Sequence, residues 1–245
     1  MPLQGKTAVV TGAAGTLGLA VARALLEQNA HVALVDHDAM RLDSLVRFLR
    51  GPVMALASDV TDPSAVREAV ARIEASAGAI DILVNAASTP SAERSETLSE
   101  LEWRRVLGVN VEGAFSWSRA VMPGMRRRGW GRIVNVGSAA AKVAFADAGV
   151  AYTVSKAALQ ALTFALAREA APHGVTVNAV APAFVKSREL EEMHEAQRRQ
   201  LLAQVPVGRF CEPEEFAHAV TFLVSPLAGF ITGEVIDVNG GLHMD

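Results

Sequence analysis

Tyr152 and Lys156 are the two side chains of this sequence whose types and spacing best suit proton transfer. They are four positions apart at the start of a strongly helical segment, so we expect them one turn apart on one helix face. An ammonium group beside a phenol favours the phenolate, which predicts a lowered pKa for Tyr152, the only tyrosine of the chain. Such a pair is also common on helix surfaces, so other residues must decide between the two interpretations.

Two further features support a catalytic role for this pair. Ser138 ends the fifth predicted strand, where its hydroxyl can donate a hydrogen bond to a carbonyl or alkoxide oxygen. A glycine-rich turn joins the first predicted strand to a helix. Glycines let the backbone of such a turn approach a pyrophosphate, and the helix N-terminus supplies amides that bind the anion. The turn predicts dinucleotide-binding residues at Gly12, Gly15, Thr16, Leu17 and Gly18.

Asp36 strengthens the prediction of a dinucleotide site. It ends the second predicted strand, eighteen positions after Gly18, where a carboxylate can accept hydrogen bonds from the adenosine ribose hydroxyls. This position favours NAD(H) as the cofactor. The alternative is that Asp36 caps a helix beginning near His37.

Polar side chains also follow the third and fourth predicted strands. Asp59, with Val60 after it, follows the third strand, and Asn85 ends the fourth. Because the carboxyl ends of parallel strands form the ligand-binding edge of a sheet, we expect these residues to contact the dinucleotide. Each could instead be an ordinary turn residue.

These residues need a parallel sheet to bring them together. Apolar, β-rich runs alternate with helical segments along the chain, which is typical of repeated βαβ units. We predict a Rossmann-type α/β fold, a doubly wound parallel sheet of about seven strands with helices on both faces, in one dinucleotide-binding and catalytic domain over residues 1–245. The predicted strands lie near residues 7–10, 31–35, 53–57, 82–84, 132–136, 176–180 and 235–238, and the predicted helices follow Gly18 and lie near residues 37–49, 63–77, 100–127, 151–171 and 213–223.

The alternation of strands and helices breaks between Pro182 and Pro206, where the chain becomes charged and helical in character. A long insert after a strand lies at the carboxyl edge of the sheet, where α/β folds bind ligands. Residues 182–206 are therefore predicted to form a substrate-side lid. The alternative is a solvated surface helix, and both descriptions can hold together.

Composition and charge argue against several other classes of protein. The net charge of −3 gives no global attraction to nucleic acid or to an anionic membrane. The basic run of residues 126–128 is interpreted first as a solvated helix end and second as a docking patch for an anionic partner. Cys211, the only cysteine, lacks the spacing of a metal site and suits a small buried or loop residue better than a nucleophile. Without a membrane-spanning run or a signal segment, we expect a cytoplasmic protein with no metal, membrane or nucleic-acid partner.

The chain resembles the short-chain dehydrogenase/reductase family over essentially its whole length. The family's Thr-Gly-x-x-x-Gly-x-Gly turn matches Thr11, Gly12 and Gly18, with Thr16 in place of the middle glycine. Its Asn-Asn-Ala-Gly after the fourth strand appears as Asn-Ala-Ala-Ser over residues 85–88. The catalytic residues that match the family are Asn110 in Val-Asn-Val-Glu-Gly, Ser138 in Asn-Val-Gly-Ser, and Tyr152 and Lys156 in Tyr-Thr-Val-Ser-Lys.

The resemblance implies a mechanism and roles for these residues. Tyr152 donates a proton to the alkoxide that forms when a ketone is reduced, and Ser138 holds the substrate oxygen. Lys156 lowers the pKa of Tyr152 and binds the nicotinamide ribose. Asn110 anchors a water that links Lys156 to solvent.

The resemblance extends to the segment after the sixth strand and to the tail. The family's Pro-Gly-x-x-x-Thr is similar to residues 182–187, with Ala183 in place of the glycine. This match implies that the Val185 backbone and the Ser187 hydroxyl hold the nicotinamide carboxamide. Family tails usually build subunit contacts, so we expect a homotetramer.

Three functions are compatible with these residues. The leading hypothesis is an NAD(H)-dependent dehydrogenase that acts on a small or medium secondary alcohol or ketone. The alternative is a 3-oxoacyl thioester reductase that meets an acyl carrier protein, although Asp36 suits NADH better than the NADPH common in that role. A catalytically silent dinucleotide-binding regulator is the third, and the intact Asn110, Ser138, Tyr152 and Lys156 argue against it.

Overall fold

The computed structural model describes residues 3–145 and 148–244, and its centre is a seven-stranded parallel sheet. The strand order is β3-β2-β1-β4-β5-β6-β7. The chain runs outward from β1 in one direction and then restarts at β4 on the other side, so the topological switch point lies between β1 and β4. The strands are β1 (Thr7–Thr11), β2 (His31–Asp36), β3 (Val53–Ala57), β4 (Ile80–Asn85), β5 (Gly131–Val136), β6 (Val175–Pro182) and β7 (Val235–Val238).

Helices cover both faces of this sheet. One face packs on the first and last helices through a core that includes Leu25 and Phe216. The opposite core includes Ile73, Trp117 and Leu166 from three other helices. The predicted doubly wound α/β fold is therefore confirmed. The helices are α1 (Thr16–Glu27), α2 (Ala39–Val46), α3 (Pro63–Ala77), α4 (Glu100–Leu107), α5 (Ala114–Arg128), α6 (Val150–Ala170), α7 (Arg188–Glu192), α8 (Glu195–Leu202) and α9 (Pro213–Val224).

The central strands are apolar because both of their faces are covered. All five residues of β1 and all eight of β6 are buried. Such strands read as continuous apolar runs rather than as alternating patterns, which is why the sequence locates them well. The register aligns Thr11 of β1 with Val35 of β2 and with Asn85 of β4, so these strands end at one edge.

Two helix predictions are wrong in detail. The second helix begins at Ala39 rather than near His37, because the Asp38 side chain accepts a hydrogen bond from the Arg41 amide and caps it. The predicted helix over residues 100–127 is not a continuous α-helix. A π-helical segment, Gly108–Gly113, separates α4 from α5.

The basic run of residues 126–128 forms the last turn of α5, as its first interpretation requires. The helix ends at Gly129, which has a left-handed conformation with φ of 64°. Arg126 Nη2 lies 3.5 Å from Glu169 Oε2, and Arg128 Nη2 lies 3.6 Å from Asp81 Oδ1.

One helical stretch, Val150–His173, has the length and apolar composition of a membrane span, properties that core helices of soluble proteins share. Here the stretch begins with α6, which packs on β6. It contributes buried residues such as Leu166 and Ala170 to the core.

Candidate active site

The glycine-rich turn fits closely against the segment that follows β4. Gly12 has a left-handed φ of 63°, and a Cβ there would lie 2.6 Å from the Ala87 backbone. A Cβ on Gly18 would lie 2.3 Å from the Gly12 carbonyl oxygen. Both positions therefore require glycine, and the turn forms a bare backbone surface at the switch point.

A cavity of about 880 Å³ opens beside this turn. Among the predicted cofactor-binding residues, the structure brings Gly12, Gly15, Asp36, Asp59 and Val60 to its wall. Thr16 begins α1, Leu17 packs against the core and Gly18 is buried behind the turn. The last three thus support the turn rather than line the cavity.

Asp36 is 8% exposed and is held in place by several donors. Its Oδ2 accepts a hydrogen bond from the Ala14 amide at 3.0 Å, and its Oδ1 accepts one from the Asp38 amide at 3.2 Å. His37 Nδ1 lies 3.0 Å from Oδ1. Asp36 therefore joins the glycine-rich turn to the end of β2, whereas the capping role considered for it belongs to Asp38.

The structure separates the two residues predicted after β3 and β4. Asp59 lines the cavity while its Oδ1 accepts hydrogen bonds from the Thr61 amide and hydroxyl, both at 2.8 Å. It is a turn residue and a wall residue together. Asn85 was predicted to contact the dinucleotide, but its side chain points away from the crevice. Its Nδ2 donates to Asn135 Oδ1 at 2.8 Å and to Ser118 Oγ at 3.2 Å, inside the protein.

A second cavity, of about 320 Å³, contains the predicted reacting residues Ser138 and Tyr152. Ser138 follows β5 and accepts a hydrogen bond on Oγ from the Ala140 amide at 3.1 Å. Phe145 and Phe184 stand on the wall with their ring centroids 5.4 Å apart. The segment 182–206 supplies Ala183, Phe184, Leu201 and Gln204 to the same wall.

The environment of Tyr152 differs from the one predicted. Burial raises the pKa of its phenol, and the nearby hydroxyls of Ser138 and Ser88 act against this rise. The predicted lowering by Lys156 is therefore not the dominant effect. Lys156 Nζ lies 5.6 Å from the centre of the tyrosine ring, so the predicted proximity on one helix face is confirmed.

Lys156 is fully enclosed behind the tyrosine. Its Nζ donates a hydrogen bond to the Val136 carbonyl at 2.8 Å, at the end of β5. Burial lowers the pKa of Lys156 to about 8. The ammonium form still predominates at pH 7, so a positive charge stays next to the phenol.

Asn110 lies in the π-helical segment and is 1% exposed. Its Oδ1 accepts a hydrogen bond from the Thr89 amide at 2.7 Å, and its Nδ2 donates to the Thr89 carbonyl and to Ser155 Oγ. The side chain therefore ties the loop after β4 to α6. π-helical turns inside helices often mark functional sites, because they reorient one residue.

In the part of the chain that the structure describes, neither Val185 nor Ser187 lines either cavity. Val185 forms an isolated parallel bridge with Cys211. The Ser187 hydroxyl accepts a hydrogen bond from the Leu190 amide and caps α7. Cys211 is half-buried, and burial raises the pKa of its thiol, which supports its interpretation as an ordinary loop residue.

Ser88 and Ser91 are site residues that the sequence analysis missed. Ser88 lines the larger cavity and approaches the Tyr152 phenol, whereas Ser91 lines the smaller cavity. The replacement of the family's glycine by Ser88 was visible in the sequence. No signal in the sequence identified Ser91, because its place depends on contacts with α6.

Comparison with known proteins agrees with this architecture. Residues 12–243 match a family model described as Enoyl-(Acyl carrier protein) reductase. The crystal structure of gox2181 superposes with a TM-score of 0.94 at 32% identity, covering 98% of this chain and 96% of that one.

Curated relatives match along the whole chain. The 3-oxoacyl-[acyl-carrier-protein] reductase FabG of Vibrio cholerae serotype O1 is 38% identical over 245 residues, covering 100% of both chains. Galactitol 2-dehydrogenase (L-tagatose-forming) of Cereibacter sphaeroides is 40% identical over 250 residues, covering 98% of this chain and 95% of the relative. The parallel sheet, the glycine-rich turn and the Tyr-Lys pair one helical turn apart agree with these matches. This chain is an oxidoreductase that belongs to the short-chain dehydrogenase/reductase family.

Proposed function

We propose that this enzyme interconverts a secondary alcohol and a ketone with NAD(H), and that Tyr152 is its general acid and base. The observation that supports this most directly is the placement of Tyr152 and Ser138 together in one cavity. The loop after β4 runs from the larger cavity, at Ser88, to the smaller cavity, at Ser91. A cofactor and a substrate bound in the two cavities would therefore meet beside Tyr152.

The residues of the larger cavity fit a nicotinamide dinucleotide. The glycine-rich turn brings its bare backbone and the N-terminus of α1 to the cavity, which suits a pyrophosphate, and a side chain at position 12 would clash with the loop. Asp36 presents a carboxylate suited to the ribose hydroxyls, with Asp59 and Val60 on the same wall. When bound, the nicotinamide ring supplies the hydride for the carbonyl carbon.

The catalytic residues have complementary tasks. Tyr152 transfers a proton to or from the substrate oxygen, and Ser138 donates a hydrogen bond to that oxygen. Lys156 keeps a positive charge near the phenol, and in this proposal it also binds the nicotinamide ribose. Asn110 holds the loop after β4 against α6. We also retain the proposal that Asn110 anchors a water molecule that links Lys156 to solvent. We retain Val185 and Ser187 as the residues that hold the nicotinamide carboxamide. Both belong to the segment 182–206, other residues of which line the smaller cavity.

The FabG relatives support a second candidate function. Enzymes named 3-oxoacyl-[acyl-carrier-protein] reductase match this chain along its whole length at 36% to 38% identity. Reduction of a 3-oxoacyl thioester uses the same proton and hydride transfers on a different carbonyl substrate. The partner would then be an acyl carrier protein rather than a free small molecule.

We also propose that the chain is a cytoplasmic homotetramer built from one domain. Three aromatic side chains are exposed on the surface: Phe115 on α5, Phe164 on α6 and Phe230 near the C-terminus. Exposed apolar side chains of this kind support contacts that become buried between subunits. Light scattering is expected to give the mass of four chains. The mass of a single chain would contradict the proposed assembly.

A turnover screen tests the proposed function. NADH oxidation is measured with simple ketones, sugars, oxo acids and 3-oxoacyl thioesters, and NAD⁺ reduction with the matching alcohols. We expect the highest kcat/KM with an uncharged ketone or alcohol. Turnover restricted to 3-oxoacyl thioesters would select the second candidate function, and no turnover with any substrate would contradict both.

A further inference from the structure

The smaller cavity, which holds Tyr152 and Ser138, has an aromatic wall. Phe145 follows β5 and Phe184 follows β6, and their ring centroids lie 5.4 Å apart on this wall. Phe184 also meets Phe210 in an edge-to-face arrangement with the centroids 6.3 Å apart, and Phe210 is 8% exposed. The aromatic wall is therefore anchored to the interior of the protein.

The rest of the wall offers little to a polar substrate group other than the reacting oxygen. The described residues of this wall carry no charged side chain. The Ser91 hydroxyl is hydrogen-bonded to the Glu102 carboxylate, and Gln204 Nε2 donates to a backbone carbonyl of α8 at 3.3 Å. A charge or a further hydroxyl placed here would lose its water without gaining a partner, which is unfavourable. Ser138 and Tyr152 are left to bind the reacting oxygen.

The size of the cavity favours a compact group. Its volume is about 320 Å³, whereas an apolar cavity of about 150 Å³ already holds benzene, so a ring and a reacting carbonyl fit together. Phe184 also belongs to the wall of a third cavity, which carries the charged side chains of Arg209, Glu215 and Asp237. A long alkyl chain that passed Phe184 would therefore leave apolar surroundings for charged ones.

We propose that the smaller cavity recognises the aromatic ring of a compact, uncharged ketone or secondary alcohol, and that Phe145 and Phe184 select this ring. The substrate ring packs on these two side chains while its oxygen reaches Ser138 and Tyr152. Aromatic rings in contact attract each other beyond the effect of burial, which favours an aryl group over a saturated group of the same size. The inference rests on the proposed function and narrows its substrate class.

The test measures NADH-dependent reduction of matched ketones by the wild-type enzyme. Phenylacetone and cyclohexylacetone differ only in the saturation of the ring, and neither ring is conjugated with the carbonyl. (4-Carboxyphenyl)acetone adds a charge, erythrulose replaces the ring by hydroxyl groups, 2-butanone lacks the ring, and an acetoacetyl thioester represents the second candidate function. We expect the highest kcat/KM with phenylacetone.

Two variants test the aromatic wall itself. Phe145→Leu and Phe184→Leu each keep an apolar side chain and remove a ring. Each should lower kcat/KM for phenylacetone about tenfold, equivalent to about 1.4 kcal/mol and near the upper end for an aromatic pair. Cyclohexylacetone and 2-butanone should change much less. The control is Phe48→Leu, which removes a ring that is 79% exposed and should leave every value unchanged.

The outcomes separate the aromatic subsite from the proposed function. A thermal melt checks the folding of each variant, and Phe145→Leu tests the inference on its own if Phe184→Leu, whose ring packs on Phe210, fails to fold. Equal kcat/KM for phenylacetone and cyclohexylacetone, a preference for erythrulose or for the carboxylate, or an equal loss on every ketone in Phe145→Leu would overturn the subsite and leave the function standing. Reduction of the thioester alone would overturn the subsite and select the second candidate function. No reduction of any of these compounds would contradict the proposed function, and the subsite with it.

Discussion

The protonation of Tyr152 is set by neighbours that act in opposite directions. Burial raises the pKa of the phenol, while the hydroxyls of Ser138 and Ser88 lower it. A hydrogen bond to the phenolate favours the charged form, so each serine raises the fraction of Tyr152 that is in its base form at a given pH. Ser88 takes the place of a glycine in the family pattern, and it adds a second hydroxyl beside the Tyr152 phenol.

Replacing Ser88 is expected to shift the pH dependence of alcohol oxidation. Oxidation requires the base form of Tyr152, which is populated above its pKa. Ser88→Ala removes one of the two hydroxyls that lower this pKa, so the rising limb of kcat against pH should move to higher pH. The exposed Ser44→Ala on α2 serves as the control and should leave the limb in place. An unshifted limb in Ser88→Ala would show that this hydroxyl does not act on Tyr152.

Asp36 is expected to decide the choice of cofactor. At an effective dielectric constant of about 20, two unit charges about 5 Å apart repel by roughly 3 kcal/mol, so the carboxylate opposes the 2′-phosphate of NADP(H). Arg41 lines the same cavity and offsets part of this repulsion. We predict a preference for NADH over NADPH of at least about tenfold in kcat/KM, equivalent to about 1.4 kcal/mol.

The appropriate measurement is the ratio of kcat/KM for NADH to kcat/KM for NADPH, because Asp36 also supports the backbone of the cofactor cavity. Asp36→Ala removes the acceptor for the Ala14 and Asp38 amides, and it should weaken both cofactors while it shrinks the preference. Asp43→Ala removes the same charge from the exposed side of α2 and should keep the preference. A wild-type enzyme that uses NADPH as well as NADH would overturn the assignment and favour the 3-oxoacyl thioester reductase.

At the scale of secondary structure, the segment 182–206 forms part of the wall of the smaller cavity. α8 has no buried residue and α7 has one, Leu190, so few packing contacts hold these helices. The pKa of Glu189 on α7 is lowered chiefly by hydrogen bonds within α7, and the positive charge of Arg41 on α2 adds to this. The segment therefore extends from the smaller cavity toward Arg41, which lines the larger cavity.

We predict that residues 182–206 become more ordered when cofactor and substrate bind. Segments with few buried contacts open readily, and a ligand that touches them adds stabilising contacts. Hydrogen exchange should slow in this segment between the free enzyme and the ternary complex. The buried helix α6 provides the internal reference and should change little. Equal protection of residues 182–206 in both states would describe a rigid surface segment without a gating role.

At the scale of the whole molecule, the sequence predicts best the elements whose ends depend on local chemistry. α3 has the predicted bounds because Asp62 caps it, Pro63 begins it and Gly78 ends it. The Tyr152 and Lys156 pair is also local, since it needs only one turn of helix. The glycine-rich turn and Asp36 were identified because strand ends meet at one edge of a parallel sheet.

Long-range contacts explain what the sequence could not predict. Asn85 turns inward because Asn135, fifty residues later, accepts a hydrogen bond from it. Ser91 is a cavity residue only because the Gly149 amide bonds its carbonyl. The raised pKa of Tyr152 follows from burial by distant segments, an effect absent from the local spacing that predicted a lowered value.

We propose that proton transfer by Tyr152 is the step that the whole fold serves, and Tyr152→Phe tests this role most directly. The variant keeps the ring and removes only the hydroxyl, so a fluorescence titration should give an NADH Kd within a few-fold of the wild type. Turnover of the best ketone from the screen should fall by at least about a hundredfold, the low end of general acid and base contributions. Nearly full turnover by Tyr152→Phe with unchanged NADH binding would contradict the mechanism.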